Sequence, residues 1–293
     1  SNFFQPYFIG KSVKGREIIA LRLSLADSQQ EALPELLIAA AIHGDEKPST
    51  VMSLKLLQYI CENIDEDDTD GIRNILQSSV LWLLPIMNPD GYVSNSRYNS
   101  NGADLNREFP DGVLLGEEAF GTFAAGSSFR FAGLQPEQVH IMRWLAGRNI
   151  TAALHLHTGA LKVCYPYGNN EEFIRKVSEA PDNDIFQDLA SLYAVKNTRM
   201  SPSVVINAAA WYPVVGELAD WQYRFLGTLP LTIELTGPTK QPNYNKMENL
   251  WQENLPAFLA WMNRVIDLYP EGLEAEQNSA ATETWGAEFA QRE

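Results

Sequence analysis

His43-Gly44-Asp45-Glu46 sets an imidazole and a carboxylate three residues apart, directly after an apolar run. Zinc accepts imidazole nitrogen and carboxylate oxygen, and a catalytic zinc site takes three protein ligands and keeps one position open. His-x-x-Glu pairs are common by chance, so a third donor has to be found. The chain has four histidines: His43, His140, His155 and His157. His140 falls in a helical segment and reads as a surface residue. His155 and His157 lie two apart at the carboxyl end of an apolar strand, so they face the same side. Ligands of open α/β sheets bind beyond the carboxyl ends of strands, and His43 lies just past such an end too. His157, nearer the strand end, is the better third ligand. His155 reads as a packed, hydrogen-bonded core residue. Glu234, in Thr232-Ile233-Glu234-Leu235, is hard to explain by structure alone, because a buried carboxylate is costly without a partner.

The elements that must position these groups follow from apolar patterning. Ile18–Leu23 predicts a strand after a turn near Gly10-Lys11-Ser12. The unbroken apolar run Leu36–Ile42 predicts a strand buried on both faces, and Val80–Met87 and Ile150–His157 predict a second and a third buried strand. Leu231–Leu235 predicts a shorter strand. Helices are expected from Pro48 onward, where Val51, Leu54, Leu57 and Ile60 keep helical spacing. Further helices are expected over Pro136–Arg148, Asp184–Val195 and Asn245–Leu268. Asn88-Pro89-Asp90-Gly91 is a turn signal, and Arg97–Gly126 reads as a long functional loop. Strands alternating with helices give an α/β fold, a three-layer α/β/α domain with a mixed, mostly buried twisted sheet flanked by helices. Neither an internal repeat nor an interdomain linker is visible. Residues 1–270 are expected to form the catalytic domain and 271–293 an acidic tail, with Trp285 and Phe289 sharing a helix face.

Composition narrows the partners. Hydrophobic residues make up 45% and charged residues 20%, which is ordinary globular composition. The formal net charge of −15 repels phosphates and anionic membranes, so neither nucleic acid nor membrane is expected as a partner. No apolar stretch reaches the length of a membrane span. Two cysteines, Cys61 and Cys164, are too few for a disulfide framework. They fit a reducing compartment better than an oxidising one, which favours the cytoplasm over the periplasm or secretion.

From about Ile9 to about Val265 the sequence resembles the zinc metallocarboxypeptidases. The matching segments are His43-x-x-Glu46, Asn88-Pro89-Asp90-Gly91-Tyr92, Arg97-Tyr98-Asn99 with Asp104-Leu105-Asn106-Arg107, Leu154-His155-Leu156-His157 with Tyr165-Pro166-Tyr167-Gly168, Trp211-Tyr212 through Asp220-Trp221, and Thr232-Ile233-Glu234-Leu235. Tyr165 stands eight residues beyond His157, the family's interval from zinc histidine to tyrosine, and this again selects His157 over His155. The resemblance implies one zinc ion on His43, Glu46 and His157, with Glu234 as general base. It implies Arg97 facing the developing oxyanion, Asn106 and Arg107 clamping the terminal carboxylate of a peptide substrate, and Tyr212 closing over the scissile bond. Asn207, Gln135-Pro136-Glu137 and Pro181-Asp182-Asn183-Asp184-Ile185-Phe186 resemble the regulatory branch, the carboxypeptidase N/E/D/M type. In that branch a transthyretin-like β-sandwich follows the catalytic domain; none is expected within these residues.

Four positions bear on specificity. Asp45 stands where the regulatory branch has Asn, and His-Gly-Asp-Glu resembles cell-wall peptide amidases acting on γ-D-glutamyl-diaminopimelate. Gly168 stands where the regulatory branch has an aspartate, and Ala219 where basic-specific digestive enzymes have one. Glu217 stands where the family has glycine. The expectation is a roomy pocket at Gly168 and Ala219, walled by Val214 and Leu218, without strong preference for Lys or Arg unless Glu217 points inward. A carboxypeptidase is the leading reading. The alternatives are the amidase, an acylamino-acid deacylase and a non-catalytic binding module.

Overall fold

A computed structural model describes residues 3–26, 33–64, 71–111 and 133–269. The apolar runs become one eight-stranded mixed sheet of order β1-β2-β4-β3-β5-β8-β6-β7. The strands are β1 (Phe4–Lys11), β2 (Glu17–Leu23), β3 (Glu35–Ala40), β4 (Val80–Leu84), β5 (Ile150–His157), β6 (Leu161–Tyr165), β7 (Val205–Asn207) and β8 (Leu229–Leu235). The centre, β4-β3-β5-β8, is parallel. Its strands are apolar on both faces because helices cover both.

Alternation along the central strands sorts residues between two cores. Leu36, Ile38, Leu154, Leu156, Leu231 and Ile233 face one layer. That layer holds α1 (Lys47–Asn63), α2 (Ile72–Ser78), α5 (Asn183–Lys196) and α8 (Met247–Leu268). Leu37, Ala39 and Ala153 face the other, which holds α4 (Pro136–Ala146) and α7 (Leu218–Leu226). The three-layer α/β/α expectation holds. Among the described residues no helix is long and apolar enough to cross a membrane.

Several boundaries differ from the sequence reading, each for a local reason. β3 stops at Ala40 because Ala41 turns into the left-handed region, φ 52°, and its N–H is taken by Ser49 Oγ at 3.2 Å. β4 stops before Pro85, which has no N–H for the ladder. Asn88-Pro89-Asp90-Gly91 is not a simple turn but the start of α3 (Pro89–Ser94). Asn88 Oδ1 accepts from the Gly91 amide at 2.8 Å, with proline at the first helical position where its missing donor costs nothing. Gly10 and Lys11 belong to β1 rather than to a turn; the reversal comes at 12–16, where Ser12 N–H donates to Arg16 O at 2.8 Å. His140 is half-buried, not a surface residue, since its ring fills the space beside Gly10. Of the long loop, 97–111 is irregular as expected. Residues 112–126, the boundary at 270, the tail 271–293 and its Trp285 and Phe289 lie outside the described residues.

Gly44 ties this frame to the site. It lies flat on α3, and a Cβ there would meet the Gly91 backbone, with Cα at 2.5 Å. Gly44→Ala is expected to cost about 1–3 kcal/mol by overpacking. The measurement is a lowered urea midpoint at unchanged slope.

Candidate metal centre and substrate cleft

Three parallel strand ends and one helix start converge on a single point. Past the end of β3 the chain delivers His43, and Glu46 sits at the N-terminal edge of α1, where the positive end of the helix favours a carboxylate. β5 ends on His157. The β5–β8 register pairs His157 with Glu234, so both side chains leave the same face of the sheet.

His43, Glu46 and His157 are all buried, and one donor atom from each lies within 4.8 Å of the others. The Glu46 carboxylate reaches both imidazoles, Oε1 at 3.0 Å from His43 Nδ1 and Oε2 at 3.1 Å from His157 Nδ1. Oε2 also accepts from the Thr158 amide at 3.0 Å. Burial alone would raise the Glu46 pKa, but the hydrogen bonds and charges of His157 and His43 outweigh it and hold it far below the usual carboxylate range. A buried carboxylate kept ionised beside two imidazoles is the donor set of an open catalytic zinc site, so these residues fit the ion. His155 does not join them. It is 2% exposed, and burial, then the charge of His157, pushes its pKa down to about 3. Gln222 is its polar neighbour, although Nε2 lies outside hydrogen-bond geometry. His155 is thus packed as expected without the aligned bond expected for it.

Behind His43 stands Asp104, whose role is not evident from the sequence. Asp104 Oδ1 lies 3.1 Å from His43 Nε2, while its Oδ2 accepts from Arg97 Nε at 2.8 Å. Burial raises the Asp104 pKa less than His43, Arg97 and Arg107 lower it, so it stays ionised. A carboxylate on the outer nitrogen fixes the tautomer and aim of a metal-binding imidazole. Lys240 was also missed. Its ammonium lies 2.9 Å from Asp45 Oδ2 and 3.5 Å from Glu46 Oε1. Asp45 is thereby turned to an ion pair at the rim. Nothing in a Gly-Pro-Thr-Lys loop foretells this contact.

The cleft beyond the three donors is lined by Arg97, Asn106, Arg107, Cys164, Tyr212, Val214, Glu217, Glu234 and Lys240, among others. Burial raises the Glu234 pKa, with His157 opposing. Its Oε2 is buried without a hydrogen-bond partner among the described residues, which leaves one oxygen for a water or substrate. Arg107 donates to the carbonyl of Asn106 at 2.7 Å and forms no ion pair among the described residues. The Asn106 side-chain oxygen accepts from the Leu218 amide at 2.9 Å, and Asn106 lines the cleft. Tyr212, directly after the short helix α6 (Ala208–Trp211), packs edge to face on Trp211 at 4.6 Å. Burial, outweighing Arg107, raises its pKa.

The expected pocket at Gly168 and Ala219 is corrected. Ala219 and Leu218 are buried in the first turn of α7, with Leu218 in the core. Neither they nor Gly168 lines the cleft. The space above Gly168 is filled: a Cβ there would lie 2.9 Å from Glu217 Cδ and closer still to Oε1.

The family described as zinc carboxypeptidase matches residues 1–257. The chain belongs to the zinc carboxypeptidase family. Mouse carboxypeptidase D is 31% identical over 288 residues, covering 90% of this chain and 20% of its own length. Carboxypeptidase SOL1 of Arabidopsis thaliana is 32% identical over 278 residues, 93% of this chain and 53% of its own. Mouse carboxypeptidase M is 31% identical over 289 residues, 90% and 61%. These relatives match the regulatory branch named from the sequence, and the chain spans from a fifth to about three fifths of their length. Among solved structures, thrombin-activatable fibrinolysis inhibitor superposes with a TM-score of 0.73 at 21% identity, covering 91% of this chain and 70% of that one. Carboxypeptidase A from Helicoverpa armigera gives 0.72 at 19%, covering 91% and 69%. These two share the fold of this zinc carboxypeptidase chain.

Proposed function

We propose that this chain is a zinc metallocarboxypeptidase that hydrolyses the last peptide bond of a substrate with a free C-terminus. The observation that carries this reading is the juxtaposition, in one cleft, of the His43-Glu46-His157 donor set with Glu234, one oxygen of which has no partner among the described residues, and with Arg107, which forms no ion pair among them. One zinc would be held by His43, Glu46 and His157; bound there, it supplies a Lewis acid that acidifies water and polarises a carbonyl. Arg107, with a planar fork of donors, and the Asn106 amide take the substrate carboxylate. This fixes the terminal bond, and no other, beside Glu234. Glu234 accepts the proton of the attacking water and returns it to the leaving amine. Arg97, held by Asp104, presents donors to the oxygen on which charge develops. Tyr212 covers the substrate and excludes bulk water.

The comparisons do not favour the cell-wall amidase, the acylamino-acid deacylase or the non-catalytic module. The Asp45–Lys240 pair also removes Asp45 as a free feature of an amidase pocket. The test is release of single residues from matched peptides with free and amidated C-termini by the zinc-loaded chain. Only the free forms are expected to be cleaved, and Arg107→Ala is expected to raise KM for them by roughly 10–100-fold, the loss of a charge-assisted pair. Equal turnover of the amidated peptides by the parent chain would refute the carboxylate clamp.

A further inference from the structure

Three carboxylates lie close together, Asp111, Asp220 and Glu217, and of these Glu217 lines the cleft. Two of them are pinned by donors. Asp220 accepts the Gly168 amide on both oxygens at 2.9 Å each and has the Arg224 charge nearby. Asp111 accepts from the Gly216 amide at 3.1 Å and from Asn169 Nδ2. Glu217 differs. Its residue is 8% exposed, it lines the cleft, and among the described residues no hydrogen bond or ion pair reaches its carboxylate. Burial and the charges of Asp220 and Asp111 raise its pKa, with Arg107 opposing.

The backbone dictates where this carboxylate points. Gly216 adopts φ +67° and packs on Arg107, where a Cβ would meet the Arg107 carbonyl oxygen at 2.5 Å. Phe109 N–H donates to Gly216 O at 3.0 Å, and Asn106 holds the Leu218 amide. Glu217 is therefore clamped on both sides by the segment that carries the proposed carboxylate receptor. Its side chain crosses to Gly168, which lacks the Cβ that would block it, and Val214 borders the same space. Ala208, Cys164 and Val214 line the same cleft and offer an apolar sleeve to an alkyl stem.

We propose that Glu217 is the specificity-determining anion of this cleft, binding the side-chain cation of a C-terminal Lys or Arg. This rests on the carboxypeptidase reading and deepens it. It also reverses the sequence expectation of no basic preference, through the inward orientation named there as the exception. An unpaired buried carboxylate is costly, and a ligand cation is the group that relieves it. Arg107 remains free for the substrate carboxylate because Glu217 does not take it. The two charges of a C-terminal Lys or Arg thus meet opposite charges at two separate places. Positions 168 and 217 compete for one volume, so a carboxylate carried by either position would fill it.

The experiment compares kcat/KM of the zinc-loaded chain for matched peptides ending in Lys, Arg, Leu and Phe. The variants are Glu217→Gln and the exchange Gly168→Asp/Glu217→Gly, with zinc content measured for each. In parallel, calorimetry measures L-arginine, L-lysine and L-norleucine binding, which reads the cleft without turnover. The parent chain is expected to favour a basic terminus by tenfold or more. In Glu217→Gln the basic-to-Leu ratio is expected to drop roughly a hundredfold, as for removal of one partner of a desolvated charge pair, and the exchange is expected to restore it in part. L-arginine or L-lysine binding should weaken in parallel while L-norleucine binding does not. A preference that survives Glu217→Gln, or a parent chain that binds L-norleucine as well as both basic amino acids, overturns the assignment. If no peptide is cleaved but basic amino acids bind through Glu217, it is the hydrolytic reading that fails instead. The Lys and Arg arms show which cation fits.

Discussion

Loaded with zinc, the Glu234→Gln chain is expected to hold its metal and bind peptide yet lose about 10²–10⁴-fold in kcat, the usual contribution of a positioned general base. The substitution keeps shape and volume and removes the ability to accept a proton. Glu234 sits on β8 opposite His157, with one oxygen buried and unpartnered among the described residues, so the side chain is placed for a reacting group rather than for a structural partner. Because the proton moves only on the way to the transition state, kcat and kcat/KM should fall together while KM changes little. Stability should not suffer, since burial disfavours the ionised form that Gln replaces. Activity within a few-fold of the parent chain would refute the general-base role. A rise in KM alone would instead make Glu234 a binding residue.

The part of this molecule legible in the sequence was the part built by continuous apolar strands. Ile150–His157 emerges as β5 with all eight residues buried, because a two-faced core strand needs no partner to be recognised. The same alternation put His157 at the rim and His155 within. β1 escaped notice because Phe4–Lys11 is half-exposed and carries Pro6, which an edge strand tolerates. α7 was overlooked although Leu218, Trp221 and Phe225 keep helical spacing and all join one core; the signal was present in Leu218–Leu226. The direction of Glu217 was of another kind. It depends on the left-handed turn at Gly216, on the missing Cβ of Gly168 and on Asn106 reaching across 112 positions to the Leu218 amide. None of these is local to Glu217, so only the assembled fold aims it. The Asp104 bridge between His43 and Arg97 lies between these extremes. Its motif was visible, but its role needed the 61-residue contact to His43.

Replacing the donors separately is expected to divide the histidines cleanly. His157→Ala should lose stoichiometric zinc on dialysis and all measurable peptidase activity, whereas His155→Ala should keep the zinc. The reason is geometric. His157 Nδ1 lies 3.1 Å from Glu46 Oε2, and its donor closes the three-atom cluster with His43. His155, one pleat deeper, is fully enclosed and directed toward Gln222. A neutral imidazole in that position contributes packing, so its loss costs stability, as core truncations do, by roughly 2–5 kcal/mol. It should not cost metal. Thermal unfolding with and without zinc separates the two effects: the His155→Ala midpoint should still rise on adding zinc, and that of His157→Ala should not. Asp104→Asn supplies a graded case between them. It keeps the size of the side chain while removing the charge that faces His43 Nε2, and loss of such an outer partner lowers metal affinity by roughly 10–100-fold. Zinc retention by His157→Ala together with zinc loss by His155→Ala would place the third donor one pleat lower than the strand end, and the register between His157 and Glu234 would then have no catalytic meaning.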